Sequence, residues 1–137
     1  MDWQLQFIHH KLYLMNPPKV IQHFEITHGF NLFTLNQSLN YKDVYFIGGI
    51  GVVLPHTESE VRYQKYSSKN GILGTEYSIT GPAFVLGIGK RIKLSSKVYF
   101  LFEGQFTSVW ATVRVAKGEA QVSNFAIHGI FILGYNI

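Results

Sequence analysis

Hydrophobic and polar residues take turns along most of this chain. In the run 121–137, QVSNFAIHGIFILGYNI, one set of alternate positions holds Phe125, Ile127, Phe131, Leu133, Tyr135 and Ile137, with Gly129 as the gap. The other set holds Asn124, Ala126, His128, Ile130 and Asn136, which are smaller and more polar. The run 98–115, VYFLFEGQFTSVWATVRV, repeats the arrangement. Val98, Phe100, Phe102, Phe106 and Trp110 share one face, and Tyr99, Leu101, Glu103, Gln105 and Thr107 share the other. A period of two with unlike faces is the mark of a β-strand. A helical period of 3.6 is hard to find, and β-branched, aromatic and glycine residues dominate.

Six strands are predicted. The first covers 2–14 and stops at Asn16-Pro17-Pro18; the second covers 20–35 and stops at Asn36 to Asp43. The third covers 44–54 and ends at Pro55. A polar loop follows, with Ser67, Ser68, Asn70 and Gly71 near its centre. The fourth to sixth cover 77–94, 98–115 and 121–137. No repeat, low-complexity tract or linker interrupts them, so residues 1–137 form one domain. The runs are longer than the ~5–6 residues usual in globular proteins. They suit the ~9–11 residues of a strand that crosses a bilayer.

Composition sharpens this. Hydrophobic residues make up 47% of the chain and charged residues 15%, against about 25% charged in an ordinary soluble domain. Disorder is excluded, and no apolar run reaches the roughly 20 residues of a spanning helix. An all-β barrel is left, soluble or transmembrane. Strand length and scarce charge put lipid on the bulky face, giving an all-β, antiparallel, up-and-down transmembrane β-barrel. Trp3, Tyr13, Tyr45 and Tyr135 near strand ends fit interfacial girdles. Bacterial barrels of this kind have at least about eight strands, so either an N-terminal hairpin is lacking or further strands lie in the breaks between the six. The opening MDWQLQF has no signal-peptide character; export would require a signal already removed or a missing start. A net charge of +4 suits anionic head groups and nucleic acid alike and decides little. A monomer is expected, and nucleic acid is not an expected partner. The absence of cysteine excludes disulfides and thiolate chemistry.

The candidate chemistry lies in the histidines and carboxylates. His23 and Glu25 share a face with Thr27 and Asn31, and His56 and Glu58 share one if the chain stays extended past Pro55. Glu103 and His128 fall on the polar face of neighbouring strands, with His128 opposite roughly Thr107. Imidazole and carboxylate serve as metal ligands and acid/base groups. The plainer alternative is a hydrated lumen in which Glu103 or Glu25 pairs with Arg91 or Arg114. His9 and His28 alternate with Phe7 and Phe30 on expected lipid faces, at the interface or turned inward by a bulge. GGIGVV precedes no helix, and it and GIGK are structural glycines. RYQKYSSK is a basic, aromatic outer loop.

Four blocks carry a family resemblance: His9-His10-Lys11, Thr27-His28-Gly29-Phe30-Asn31, Pro55-His56-Thr57-Glu58 and Phe102-Glu103. With YSITGPAFVLGIG and FAIHGIFILGY they resemble the Gram-negative outer-membrane β-barrel family that includes the lipid A oxidases. The resemblance departs at Gly104-Gln105 and at Ile127. It implies an outer-membrane protein that meets lipid and lipopolysaccharide and oxidises the proximal glucosamine of lipid A with O2 and a divalent metal, Fe or Mn. The expected metal set is His56, Glu58, Glu103 and His128, with Glu103 and His128 catalytic and Lys11 and Asn31 contacting substrate. Two other readings stand beside the oxidase: a non-enzymatic barrel with a structural or small-solute role, and a soluble lipid-binding barrel hinted at by Asp2-Trp3-Gln4.

Overall fold

The structure, a computed structural model, describes residues 2–67, 72 and 77–135, with backbone alone at 27–29. Among the described residues eight antiparallel strands make one sheet: β1 (Asp2–Tyr13), β2 (Ile21–Tyr41), β3 (Val44–Pro55), β4 (Glu58–Val61), β5 (Gln64–Ser67), β6 (Gly81–Lys93), β7 (Val98–Val115) and β8 (Gly118–Tyr135). The body runs β1-β2-β3-β6-β7-β8. The β4–β5 hairpin extends one end, with β4 pairing the first residues of β2 where β3 leaves off. β1 and β8 share no backbone ladder among the described residues, so the sheet is open at that seam. No described helix is long and apolar enough to cross a membrane.

Several expected strand limits need correction: β6 starts at Gly81 and not at 77, and β8 starts at Gly118 and not at 121. β2 continues to Tyr41 through the residues expected to break it. Asn36 and Ser38 are buried there, as polar residues can be when a strand faces other polar side chains. The turn sits at Lys42-Asp43, with Tyr41 facing Val44 and Lys42 at φ 56°. The expected polar loop contains β4 and β5. Val61 faces Gln64 across Arg62 and Tyr63, whose φ values of 49° and 63° fit a two-residue hairpin turn with both central residues left-handed. Four-residue strands of mostly polar residues have too little alternation to announce themselves. Ser68, Asn70 and Gly71 of that expected loop lie outside the described residues, as do Asn136 and Ile137.

The faces fall as the alternation requires. Phe102, Phe106 and Trp110 of β7 and Phe125, Ile127, Phe131, Leu133 and Tyr135 of β8 are exposed. Glu103, Gln105 and Thr107 are buried. The outer rings touch in two groups, Phe84–Trp110–Phe125–Phe106 and Phe102–Phe131. Large apolar residues therefore point out, and the interior is mixed. One inward cluster, near the β4–β5 end, is apolar: Ile26, Phe30, Leu32, Val53, Ala83, Val109, Ala111 and Val113. Two expectations for outward aromatics are corrected by this geometry. Phe30 is fully buried in that cluster, and Tyr45 is 7% exposed at the other end of the interior. The β2 register puts Phe30 opposite Pro55 and His10, on the inward set. Gly89 opposite Tyr45 leaves room for its ring, since a Cβ there would lie 2.1 Å from it.

Candidate functional site

Glu103 sits at the end of a directed hydrogen-bond chain inside the sheet. Asn36 Nδ2 on β2 donates to Gln6 Oε1 at 2.7 Å. Gln6 Nε2 on β1 donates to Gln105 Oε1 at 2.9 Å. Gln105 Nε2 donates in turn to Glu103 Oε1, and Tyr45 Oη on β3 donates to Glu103 Oε2 at 2.7 Å. Every donor in the chain aims toward the carboxylate. Hydrogen bonds to a charged group are worth about 1.5–3 kcal/mol each, which offsets the burial of a side chain only 5% exposed. Its partners are one amide, Gln105, and one phenol, Tyr45, in place of the arginine of the ion-pair alternative. Arg91 lies over the Tyr99 ring, 4.4 Å from its centroid.

A second layer lies toward the β4–β5 end. His128 Nε2 is 3.0 Å from Thr107 Oγ1, and its register partner is Gln105. His10, on β1, meets it with ring centroids 6.2 Å apart, stacks near Phe30 at 5.1 Å and pairs with Asn124 at 3.1 Å. These are the contacts that bring β1 toward β8 across the seam.

His56 and Glu58 stand elsewhere. His56 is buried beyond the end of β3, its ring edge-on to Tyr77 at 5.8 Å and its Nε2 3.4 Å from Ser67 Oγ. Glu58 faces Glu25 across the β2–β4 ladder, and His23 Nε2 lies 3.2 Å from Glu25 Oε1. Tyr45, which holds Glu103, and Pro55, which precedes His56, are at opposite ends of β3. A strand of 12 residues at about 3.3 Å per residue is roughly 40 Å long. The four residues expected to bind one metal therefore occupy three places, and both Glu103 oxygens already accept hydrogen bonds. This set does not fit a single ion. Among the described residues no other His, Asp and Glu cluster fits one either.

Of the two expected substrate contacts, Asn31 pairs with His9 on the outward set, and Lys11 follows on the same strand as His9 with no contact to Asn31 among the described residues. Asn31 is the register partner of His9, and His9 Nδ1 lies 2.7 Å from Asn31 Oδ1. Lys11 is exposed at the bulge where the β1–β2 register shifts between His10 and Leu12. His9 is outward with Phe7, as expected; the His28 side chain lies outside the described ones. Sequence reasoning missed Gln6, His10, Asn36 and Tyr45 as interior groups. The signal was present in β1, where Gln4, Gln6, Ile8 and His10 alternate with Trp3, Leu5, Phe7 and His9. Neither protein-family models nor curated proteins nor solved structures match this chain.

Proposed function

We propose that this chain is a β-barrel protein of a Gram-negative outer membrane, acting on lipid A in the outer leaflet. The observation that carries the membrane part is the inside-out sheet. Eight outward aromatics (Phe7, Phe33, Phe84, Phe102, Phe106, Trp110, Phe125 and Phe131) are each 41–66% exposed. At about 100 Å² apiece they alone exceed the ~300–600 Å² of the largest apolar patch on a typical soluble monomer. The outward face of β7 is dominated by aromatics from Phe100 to Trp110. That stretch is about 33 Å long and, tilted by ~40°, rises roughly 25 Å, the height of the apolar band on a membrane barrel.

The connections give a direction. At one end β2 and β3 are joined by Lys42-Asp43 and β6 and β7 by residues 94–97. At the other end stand the β4–β5 hairpin and the long segment from 56 to 80. Short turns mark the periplasmic side of such barrels and long loops the outside. The lipid A part rests on the four motif blocks alone. The metal-dependent oxidation implied by the resemblance gains nothing from the interior, where Glu103 is fully engaged.

Expression with an export signal tests the reading. The protein should fractionate with the outer membrane, migrate differently before and after boiling, and change the mass of lipid A. Solubility without detergent would reject the membrane assignment. An inserted protein with unchanged lipid A would favour the second reading, a non-enzymatic barrel, which the completed hydrogen-bond chain at Glu103 supports.

A further inference from the structure

We propose that the long-loop end of the β1–β8 seam is a binding site for a small uncharged hydrocarbon, held between the strands. Such a site goes beyond the lipid A reading and would serve equally a protein that leaves lipid A unchanged.

The seam itself makes the space. β1 and β8 share no backbone ladder among the described residues. Their side chains meet at His10 and Asn124, 3.1 Å apart. Past that clasp, toward the long-loop end, a cavity of about 580 Å³ lies between them. Leu12 of β1, Phe24 of β2 and Val61 of β4 line one side, and Val115, Ala120 and Val122 of β7 and β8 the other. Leu12, Phe24, Ala120 and Val122 also pack on the buried apolar cluster, so the cavity floor continues the most apolar part of the interior. The inward positions of β8 here are small, and no neighbouring strand fills what they leave open.

Size and chemistry say what fits. Protein interiors leave few voids larger than a water molecule, whereas ligand sites run from about 300 to 1,000 Å³. A buried water needs about two to four polar partners, and the apolar floor supplies none. Glu119, Gln121 and Ser123 line the cavity from the exposed set of β8, at its rim. No cation lines it among the described residues, and its charged group, Glu119, faces Arg114 across the β7–β8 ladder. A phosphate or carboxylate would find no partner inside and a carboxylate beside it; an uncharged hydrocarbon needs no partner. The β7 and β8 residues of the cavity lie on the long-loop side of Trp110, and those of β8 also precede Phe125, the last outward aromatics of these strands. The cavity therefore opens above the apolar band, at a level the chains of a surrounding leaflet do not reach. Exposed Tyr13, Leu14 and Val20 carry its apolar lining outward.

The test uses the full chain refolded in lipid vesicles, with a dodecane bearing a photoreactive diazirine as the probe. Labelled peptides are read by mass spectrometry. Labelling should concentrate on residues 12–24 and 119–124, saturate, and fall at least about ten-fold when plain dodecane competes. Ala120→Phe and Val122→Phe fill the cavity from one wall. They should keep the unboiled gel band and lose saturable labelling by at least about ten-fold; Phe131→Leu, outward on β8, should label as the parent does. Dodecanoate should compete at least about ten-fold less well than dodecane, and Glu119→Gln should narrow that gap. Labelling that follows Phe125 and Phe131 without saturating would overturn the site, as would equal labelling of the parent and both filled variants. Stronger competition by lipid A than by dodecane would overturn it too, giving the space to a lipid chain. Should the filled variants misfold, saturation and competition in the parent still decide. A chain soluble without vesicles ends the outer-membrane reading, and the same labelling in water then decides the site on its own.

Discussion

Removing one hydroxyl isolates what holds Glu103 in the interior. Tyr45→Phe deletes the donor to Glu103 Oε2 at 2.7 Å and leaves the ring in the space that Gly89 provides. The carboxylate keeps only Gln105, which is itself held by Gln6 and, through it, by Asn36. Loss of a buried hydrogen bond to a charged acceptor costs about 1.5–3 kcal/mol, so Tyr45→Phe should destabilise by ~2 kcal/mol. Glu103→Gln should cost less, about 1 kcal/mol, because a neutral amide tolerates one missing partner better than a carboxylate does. If the two groups act through each other, adding Tyr45→Phe to Glu103→Gln should cost clearly less than adding it to the parent. The coupling would be about 1 kcal/mol. Urea unfolding in lipid vesicles, followed by the fluorescence of Trp3 and Trp110, reads all four corners of the cycle. Additive effects, or a Tyr45→Phe cost below about 0.5 kcal/mol, would refute the claim that this bond keeps the charge inside.

Three more outcomes follow from the fold. Gly51→Ala would put a Cβ 1.9 Å from the Phe33 carbonyl oxygen, backbone that cannot rotate away, and should cost at least about 1–3 kcal/mol in the same unfolding assay. Phe131→Arg would place a charge on the outward band and should cost about 2–4 kcal/mol in lipid; insertion yield into vesicles would show it, and an unchanged yield would count against a lipid-facing β8. Arg62→Asn combined with Tyr63→Gly would relieve two left-handed side-chain positions, at φ 49° and 63°. The pair should stabilise by roughly 1–2 kcal/mol, measured as a higher unfolding midpoint.

The parts of the fold that could be read in advance share one property, a strict period of two over many residues. β7 is set by Phe100, Phe102, Phe106 and Trp110 against Glu103, Gln105 and Thr107, and its limits agree with the structure at both ends. β4 and β5 are too short for any period to show. The end of β2 was hidden because Asn36 and Ser38 read as turn residues locally, and only the polar interior they face makes them strand. The interior network was harder still. Which glutamine reaches which carboxylate depends on register across β1, β2, β3 and β7, and no single strand contains that information. Tyr45 shows the limit clearly. Beside Phe46 it passes for either face, and the space opposite, at Gly89, decides the matter. The four-residue metal set failed for the same reason, since residue types alone said nothing of the length of β3 that separates Glu103 from His56.

The seam has a mechanical consequence. Backbone hydrogen bonds tie each body strand to its neighbour, yet β1 meets the far side of the sheet by side chains: Gln6 with Gln105 and His10 with Asn124. Such clasps are cheap to release, at about 1 kcal/mol apiece, while the β7–β8 ladder runs through 18 partner pairs. β1 is therefore the strand with the weakest hold on its far side, while β2 stays tied by backbone ladders to β1 and β3 alike.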